Sequence, residues 1–346
     1  MWPDAPTYTL AYDKSAMAPE FGHRTIRTSF LQRLPGGLNK LRWYLPLMPT
    51  ATESYDLSQF DVVISSCSAF AKGVITSDHT IHICYCHTPT RYLWSDSLSY
   101  VEELHVPSFI KRLLPIMFTW LRLWDKAAAE RVDFFVANSE AVKQRITKYY
   151  RRDSTVIHPP VTVDKFHISD APKKYFLIGG RLVAYKRFDL VVQAFTKLGL
   201  PLKIFGSGPA EAALRQMAGT NVEFLGRVSD DERVKLFENA IAFLHPHEED
   251  FGITAVESMA AGRPVIAYRR GGALETVIDG VTGTLFDEQS WEEIADLVLR
   301  FDHTKFDPQT IRTHALKFSD TLFRQVFKDF VTQKWAAHKQ ENLGLL

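Results

Sequence analysis

The segment "FLHPHEEDFGITAVESMAAGRPVIAY" (243–268) holds the signals that decide the fold. An apolar strand ends near His245, a polar turn follows, and a helix is predicted over about 253–261. Gly262 follows at a position where helices commonly end, and Pro264 opens the next apolar run. This strand–turn–helix–strand order predicts a parallel sheet with a ligand site at its carboxyl edge.

The same alternation continues in both directions along the chain. The predicted strands are YTLAY (8–12), DVVISS (61–66), IHICYC (81–86), DFFVAN (133–138), YFLIG (175–179), LKIFG (202–206), AIAFLHP (240–246) and PVIAY (264–268). Helical patterns such as 189–198 and 212–218 lie between them. Several strands are apolar at every position, which is typical of parallel sheets buried on both faces. The sequence therefore predicts an α/β protein with a doubly wound pattern in two halves.

The length also favours two domains, because 346 residues exceed what one ordinary core holds. The segment 158–174 contains prolines and no periodicity, so it is the predicted linker. We expect a first domain over 1–160 and a second over 161–318. A C-terminal helix over 319–340 is expected to join the first domain.

Composition excludes some classes of function. Lys and Arg total 41 against 40 for Asp and Glu, a net charge of +1, so no nucleic-acid partner is expected. Cys67, Cys84 and Cys86 form no C-x-x-C pair, which fits a reduced compartment and small buried side chains. The first residues show no basic region followed by an apolar run. A cytoplasmic location is therefore expected.

Two glutamates, Glu249 and Glu257, lie on either side of the predicted helix start. The N–H groups of a helix start suit phosphate, and Gly252 would let a ligand approach the backbone. The carboxylates suit hydroxyl groups on both sides of that phosphate, which is the layout of a nucleoside diphosphate sugar. The alternative is a helix cap together with a solvated glutamate.

Other strand-to-helix turns add chemistry of the same kind. "IGGRLVAYKRFD" (178–189) places Arg181 and Lys186 after a strand, where two cations can clamp a diphosphate. Ordinary surface basicity is the alternative. The glycine-containing turns at 205–209 and 224–232 suit close approach of a nucleotide base to the backbone.

These motifs together resemble those of the retaining glycosyltransferases of family 4, which have the GT-B fold. The motifs are G-G-R-L-x-x-x-K, F-G-x-G-P, F-L-G-R-V-S and E-x7-E around F-G-I. The segments 65–74, 84–94 and 124–139 are similar to the branch of bacterial mannosyltransferases of O-antigen and exopolysaccharide assembly. The resemblance implies two Rossmann-like domains facing a cleft.

The resemblance also implies roles for individual residues. Arg181 and Lys186 would hold the diphosphate, Glu249 the donor sugar hydroxyls, and Glu257 the ribose. His87 would face the sugar, the alternative being a satisfied core histidine. The implied catalytic residues are His87, Arg181, Lys186 and Glu249. The implied donor-binding residues are Gly180, Arg181, Lys186, Gly206, Gly208, Arg227, Val228, Glu249, Asp250, Phe251, Gly252, Ile253 and Glu257.

The implied reaction is transfer of a hexose, with retention, from a nucleotide sugar to a glycan or lipid-linked oligosaccharide in surface polysaccharide synthesis. GDP-mannose is the favoured donor. No D-x-D motif is present, so neither a metal nor another cofactor is expected. The alternatives are a nucleotide-sugar-binding subunit that is inactive alone and another GT-B enzyme such as a nucleotide-sugar epimerase. Lys72 and Arg91 are weaker candidates for phosphate or acceptor contacts, and ordinary structural roles are favoured for both.

Members of this branch normally begin with a buried strand and a glycine-rich loop before a segment like "WPDAPTYTLAYD" (2–13). We expect that strand and loop to be missing, because Gly36 and Gly37 follow no strand and do not replace them. A misassigned start or a truncated chain would explain this, and the alternative is that the protein tolerates the loss through a partner chain. The 346 residues alone are expected to express poorly or to show little activity.

The segment 105–124 is apolar but carries Lys111, Arg112 and Arg122. It is predicted as a helix that rests on an anionic membrane surface, which would be the inner face of the plasma membrane. A helix buried in the first domain is the alternative. The apolar residues of this segment that favour the membrane are Leu113, Leu114, Phe118, Trp120 and Trp124.

Overall fold

The structure is a computed structural model that describes residues 1–17, 21–95, 97, 101, 107–170 and 174–343. Packing divides the chain into two compact units. The first unit comprises residues 1–157 and 326–346, and the second comprises 158–325.

Parallel strands form the core of the first unit. β1 (Thr7–Thr9) and β2 (Ile26–Thr28) pair as a separate two-stranded sheet. The main sheet contains, in spatial order, β3 (Val62–Cys67), β4 (Ile81–Cys86), β5 (Phe134–Ala137) and β6 (Ser154–Val156). Every residue of β4 is buried, and β4 pairs with β3 on one side and with β5 on the other. In the described part of the chain, β3 forms one edge of this sheet.

The helices of the first unit are α1 (Met48–Glu53), α2 (Ser108–Glu130) and α3 (Glu140–Tyr150), together with a 3₁₀ segment over Gly37–Leu47. Ser139 caps α3 by accepting a hydrogen bond from the backbone N–H of Val142. α2 is amphipathic, since Phe118 and Leu121 are buried on one side while Ile116 is 70% exposed on the other.

The second unit contains one six-stranded parallel sheet. Its strands are β7 (Tyr175–Gly179), β8 (Leu202–Phe205), β9 (Val222–Gly226), β10 (Ala240–His245), β11 (Val265–Tyr268) and β12 (Gly283–Phe286). The spatial order is β12-β11-β10-β7-β8-β9. The chain leaves β7 toward one edge and returns at β10 toward the other. The central β7–β10 pair is therefore the switch point, where open sheets of this kind bind ligands.

Helices cover the strands of this sheet. They are α4 (Phe188–Leu198), α5 (Glu211–Met217), α6 (Asp230–Glu238), α7 (Ile253–Ala260), α8 (Ala273–Thr276), α9 (Trp291–Arg300) and α10 (Pro308–Ala315), and the last helix of the chain is α11 (Asp320–Leu343). Two separate clusters of buried apolar residues line the sheet; one includes residues of α7 and α10, the other residues of α4 and α9. α11 begins in the second unit and belongs to the first from Val326 onward.

Several boundaries differ from the sequence predictions. The predicted strand 8–12 is wrong beyond Thr9, because β1 ends there. The predicted helix over 105–124 corresponds to Ser108–Glu130, and residues 105–106 lie outside the described residues. Residues 171–173 of the predicted linker also lie outside them. Among the described residues, no helix combines the length and apolar character needed to cross a membrane.

Candidate functional site

The turn after β10 carries the first group of predicted donor residues. β10 ends at His245, and α7 begins at Ile253 directly after Gly252, whose φ of +91° lies in the left-handed region. A Cβ at 252 would be strained and would lie 3.4 Å from His245 Nε2. Glycine therefore permits the reversal that leaves the first N–H groups of α7 at the carboxyl edge of the sheet.

Side chains of this turn point in different directions. The Phe251 ring is 3% exposed and packs edge-on against Phe318, with ring centroids 5.4 Å apart. Ile253 is 45% exposed, and Asp250 is half-buried. Phe251 thus anchors the turn in the core, and a ligand at the surface would meet its backbone rather than its ring.

Two glycines of the next loop hold the same turn in place. The N–H of Gly272 donates to the carbonyl oxygen of Glu249 over 2.8 Å. A Cβ on Gly272 would lie 2.3 Å from Phe251 Cα, and one on Gly271 would lie 2.3 Å from the Glu249 carbonyl oxygen. The loop after β11 therefore supports the turn after β10 through direct backbone contact.

Lys186 and Glu249 meet across the switch point. Lys186 ends a 3₁₀ turn over Ala184–Lys186 in the loop after β7. Its Nζ lies 2.7 Å from Glu249 Oε1, and the two side chains are 12% and 21% exposed. The sheet order explains the contact, because the loops after neighbouring parallel strands emerge at the same edge.

Glu249 is held as a carboxylate. Burial raises its pKa, but the approach of His247 and the positive charge of Lys186 outweigh burial, and the pKa stays well below the ordinary value. His247 Nε2 lies 3.5 Å from Glu249 Oε1. Glu249 can therefore accept hydrogen bonds at neutral pH, but it is not a proton donor there.

His245 lies behind this pair in the core. Its side chain is 1% exposed, and neither ring nitrogen has a hydrogen-bond partner among the described residues. Burial, followed by the neighbouring His247, lowers the pKa of His245 to about 3. The imidazole is thus neutral at physiological pH.

An open depression of about 450 Å³ lies beside the Lys186 loop. Its lining residues are Gly180, Arg181, Gly206, Ser207, Gly208, Pro209 and Arg227. Arg181 is exposed, and Arg227 Nε donates to Ser207 Oγ over 3.0 Å. Two guanidinium groups around one depression suit an anion.

Close packing between backbone segments requires glycine at two positions of this depression. A Cβ on Gly206 would lie 1.8 Å from the Gly180 carbonyl oxygen, and one on Gly208 would lie 2.2 Å from the Leu182 carbonyl oxygen. These glycines let the loops after β7 and β8 pack together. The sequence interpretation, which assigned them to a nucleotide base, did not consider this contact. Val228, another predicted donor residue, packs its side chain against the core.

Glu257 lies inside α7 in different surroundings from Glu249. Its side chain is 8% exposed, and Arg233 Nη2 lies 3.5 Å from Oε1. Oε2 has no hydrogen-bond partner among the described residues. Burial raises the pKa of Glu257 to about 7 despite the nearby Arg233 charge. The two glutamates therefore differ in charge state near neutral pH.

His87 belongs to the first unit, where it directly follows β4. Its Nε2 lies 2.8 Å from Ser66 Oγ, and its ring packs edge-on against Tyr85. The ring is only half-buried. The fully buried histidine of this sheet is His82, whose Nε2 lies 2.9 Å from Ser65 Oγ. His87 is therefore not a core histidine, and its catalytic role stays a prediction.

The structure gives Lys72 the ordinary structural role that the sequence favoured. Lys72 is 1% exposed and its Nζ lies 2.5 Å from Asp125 Oδ1. Thr90, Trp94 and Tyr150 also donate hydrogen bonds to the same carboxylate. Lys72 therefore neutralises a buried carboxylate and is not a phosphate ligand. Arg91 lies half-buried in the turn after His87.

Sequence reasoning missed His245, His247 and Arg233. The alternation His245, His247, Glu249 after an apolar strand was a usable signal, because alternate residues of an extended segment share one side. Arg233 offered no signal, since its contact with Glu257 depends on how α6 and α7 pack.

Both units of the chain match known protein families. Residues 162–315 match the family described as glycosyl transferases group 1, and residues 8–165 match glycosyltransferase family 4. Among solved structures, sucrose-phosphate synthase from Thermosynechococcus elongatus superposes with a TM-score of 0.75 at 18% identity, covering 95% of this chain and 88% of that one. The structure of Anabaena HepE in complex with UDP and glucose superposes with a TM-score of 0.65 at 18% identity, covering 90% of this chain and 87% of that one.

The fold is thus that of the GT-B glycosyltransferases, as predicted. The two family matches together extend over residues 8–315, and the chain belongs to the glycosyltransferases of family 4 type.

Curated relatives support the family and vary in sugar. An alpha-1,3/1,6-mannosyltransferase of Dictyostelium discoideum is 26% identical over 281 residues, covering 67% of this chain and 64% of the relative. A D-rhamnosyltransferase of Pseudomonas aeruginosa is 29% identical over 187 residues, covering 50% and 49%. An uncharacterized glycosyltransferase of Methanocaldococcus jannaschii is 26% identical over 203 residues, covering 57% and 58%. The chain thus matches about half to two thirds of these relatives' lengths.

Proposed function

We propose that the protein transfers a hexose, with retention, from a nucleotide sugar to a glycan or a lipid-linked oligosaccharide. The observation that carries this proposal is the Lys186–Glu249 contact of 2.7 Å at the switch point of the second unit. It joins a cation for the diphosphate to a carboxylate for sugar hydroxyls at the sheet edge where ligands bind.

The charges of the site suit departure of a nucleoside diphosphate. Arg181 and Lys186 would bind the diphosphate and stabilise the negative charge that develops as the bond to the sugar breaks. The N–H groups at the start of α7, around Phe251, Gly252 and Ile253, would add to that stabilisation. These cations and dipoles would take the place that a metal ion has in other transferases, so the proposed reaction needs no metal.

The two glutamates would bind neutral parts of the donor. Glu249 stays ionised and can accept hydrogen bonds from sugar hydroxyls, but it cannot act as an acid. Glu257 is proposed to bind the ribose hydroxyls. Its free Oε2 in the described structure is an acceptor that a hydroxyl would satisfy. We propose that His87 faces the sugar, as the motif resemblance implies.

The proposed donor is GDP-mannose, and the transferred sugar is mannose. The proposed pathway class is surface polysaccharide synthesis, including that of lipopolysaccharide. The names of relatives support a hexose, since they include a mannosyltransferase and a rhamnosyltransferase. One structural neighbour is a complex with UDP and glucose, which favours a nucleotide sugar of some kind. The choice of base rests on the motif resemblance alone.

We also propose peripheral contact with a membrane, through four exposed residues of α2. This apolar stripe consists of Leu113, Ile116, Trp120 and Leu123, which are 59%, 70%, 48% and 69% exposed. Their spacing of three to four residues places them on one helix face. Phe118 is 2% exposed and belongs to the core, so the sequence interpretation was wrong to assign it to the membrane face.

The donor proposal is tested by binding a panel of GDP-, UDP- and ADP-sugars to the whole chain, followed by transfer assays with glycan acceptors. Glu249→Ala and Lys186→Ala should each weaken donor binding, and Lys305→Ala, which changes an exposed lysine of the same unit, should not. If neither substitution weakens the binding of any nucleotide sugar, the assignment of Glu249 and Lys186 to the donor site is wrong. Donor binding without transfer would favour a non-catalytic subunit. A changed free sugar without acceptor would favour an epimerase.

A further inference from the structure

Three side chains that can ligate a metal share the segment that leaves β10. His245, His247 and Glu249 alternate along the chain, and one ligand atom from each lies within 4.8 Å of the others. The two imidazole centroids are 4.3 Å apart, and His247 Nε2 is 3.5 Å from Glu249 Oε1. The three side chains therefore converge on one side of the turn after β10.

The core histidine of this cluster is His245, and the described residues leave its ring nitrogens without a hydrogen bond. His245 is 1% exposed, and both of its ring nitrogens are without a hydrogen-bond partner among the described residues. Buried polar atoms in native structures are nearly always paired, and an unpaired one is costly. A group that binds beside His247 and Glu249 would satisfy a ring nitrogen that the described residues leave unsatisfied.

We propose that His245, His247 and Glu249 form a binding site for a transition-metal ion of the Zn²⁺ class. Two imidazoles and one carboxylate are a common zinc ligand set, and they leave a fourth position for water. Mg²⁺ and Ca²⁺ do not fit, because they prefer oxygen ligands. Ligand atoms of a tetrahedral zinc ion lie about 3.4 Å apart, as follows from bonds of about 2.0–2.1 Å. The His247–Glu249 distance already matches that separation, so modest side-chain rotation completes the site.

Lys186 competes with the metal for Glu249. Its Nζ lies 2.7 Å from Oε1, so an incoming cation must displace the ammonium or repel it. The metal-bound form would therefore lack the Lys186–Glu249 contact on which the proposed function rests. The site is thus inhibitory: zinc binding and donor binding exclude each other, while turnover itself needs no metal.

Zinc binding is measured by calorimetric titration of the whole chain with ZnCl₂, and ligand geometry by the visible absorption of the Co²⁺ form. We expect one zinc equivalent in the wild type. His245→Ala and His247→Ala should each weaken it by about tenfold or more, because each removes one of three ligands. His167→Ala is the matched control, since His167 is an exposed histidine of the same unit. It should leave the affinity unchanged.

Lys186→Met gives the sharpest test. Removing the competing ammonium should tighten zinc binding by about tenfold or more. A zinc ion held elsewhere on the surface would show no such change. Circular dichroism shows whether each variant has folded. If His245→Ala fails to fold, His245→Asn is the second variant at the same position.

The proposal is overturned if the wild type binds no zinc, if the histidine variants bind as well as His167→Ala, or if Lys186→Met binds no tighter. Donor binding is measured separately in EDTA. Donor binding in EDTA without any zinc site would refute this inference alone. Zinc binding without any donor binding would refute the proposed function alone.

Discussion

Lys186 and Glu249 are 63 residues apart in the chain, yet Nζ and Oε1 lie 2.7 Å apart in a region of low exposure. The two residues form an ion pair that stabilises the fold, and the same two residues are proposed to bind the donor. Exchanging their charges should preserve the first role and abolish the second.

The double variant Lys186→Glu with Glu249→Lys should retain stability and lose donor binding. Each single variant leaves a like-charge contact and should cost about 2 kcal/mol of unfolding free energy. The exchange restores an ion pair, but it places a carboxylate where the diphosphate would bind. Donor affinity should fall by about a hundredfold or more. Chemical denaturation and donor titration check both parts, and unchanged donor affinity in the double variant contradicts the assignment.

Glu257 should make stability depend on pH. Its pKa is about 7 in the folded protein and about 4.5 when unfolded, so the folded protein holds an extra proton between these values. The unfolding free energy should therefore fall as pH rises from about 4.5 to about 7 and then level off. The total change is at most about 3 kcal/mol. Denaturation of wild type and Glu257→Gln across this range checks it, because the variant should lose this slope. Equal slopes would mean that Glu257 is not held protonated.

Gly206→Ala should destabilise the second unit by about 2–4 kcal/mol. Its φ of +114° strains any other residue, and its Cβ would lie 1.8 Å from the Gly180 carbonyl oxygen. Gly199→Ala is the matched control, because it has a φ of +69° but no atom within 4 Å of its Cβ. It should cost only the strain, about 1–2 kcal/mol. Equal melting temperatures for the two variants would contradict the predicted contact between the loops.

Asp125→Ala should destabilise the first unit by about 3–5 kcal/mol, because it leaves the buried Lys72 ammonium unpaired. Asp78→Ala, which removes a fully exposed carboxylate, should change the unfolding free energy by less than about 0.5 kcal/mol. Adding Lys72→Met to Asp125→Ala should recover part of the loss. Thermal unfolding measures all three, and a stable Asp125→Ala protein would show that Lys72 can reach water.

The apolar stripe of α2 should govern membrane binding. Ile116→Glu with Leu123→Glu should abolish co-sedimentation with vesicles that contain anionic lipid, since both residues are about 70% exposed. Leu299→Glu is the control, because Leu299 of the second unit is 67% exposed. Folding should be unaffected in both. Binding that survives in the α2 variant, or that never occurs in the wild type, would exclude the stripe as a membrane contact.

The sequence predicted the central elements of the fold because their signals are local. Runs that are apolar at every position, such as Tyr175–Gly179, correspond to buried parallel strands. The Gly252 turn and the helix after it were also predictable, since glycine and apolar periodicity mark both. Short edge strands such as Ser154–Val156 and Gly283–Phe286 were missed, because three or four residues with mixed burial show no clear pattern.

Contacts between distant segments were beyond a single sequence. Sequence placed Lys186 and Glu249 at one sheet edge but gave no reason for direct contact. The Asp125 network and the contact between Gly206 and Gly180 depend equally on how loops and helices pack. Phe118 looked like a membrane residue because apolar character alone does not say which side of a helix is buried.

The β7–β10 pairing has a consequence for biosynthesis. Tyr175 registers with Ala240, so the central pair of the second sheet cannot form until β10 has left the ribosome. Until then, β7 can pair only with β8, and its other edge stays open to wrong partners. Closing so long a loop is slow compared with forming a local contact. The interval between the emergence of β7 and the emergence of β10 from the ribosome is therefore one in which the nascent chain is exposed to aggregation.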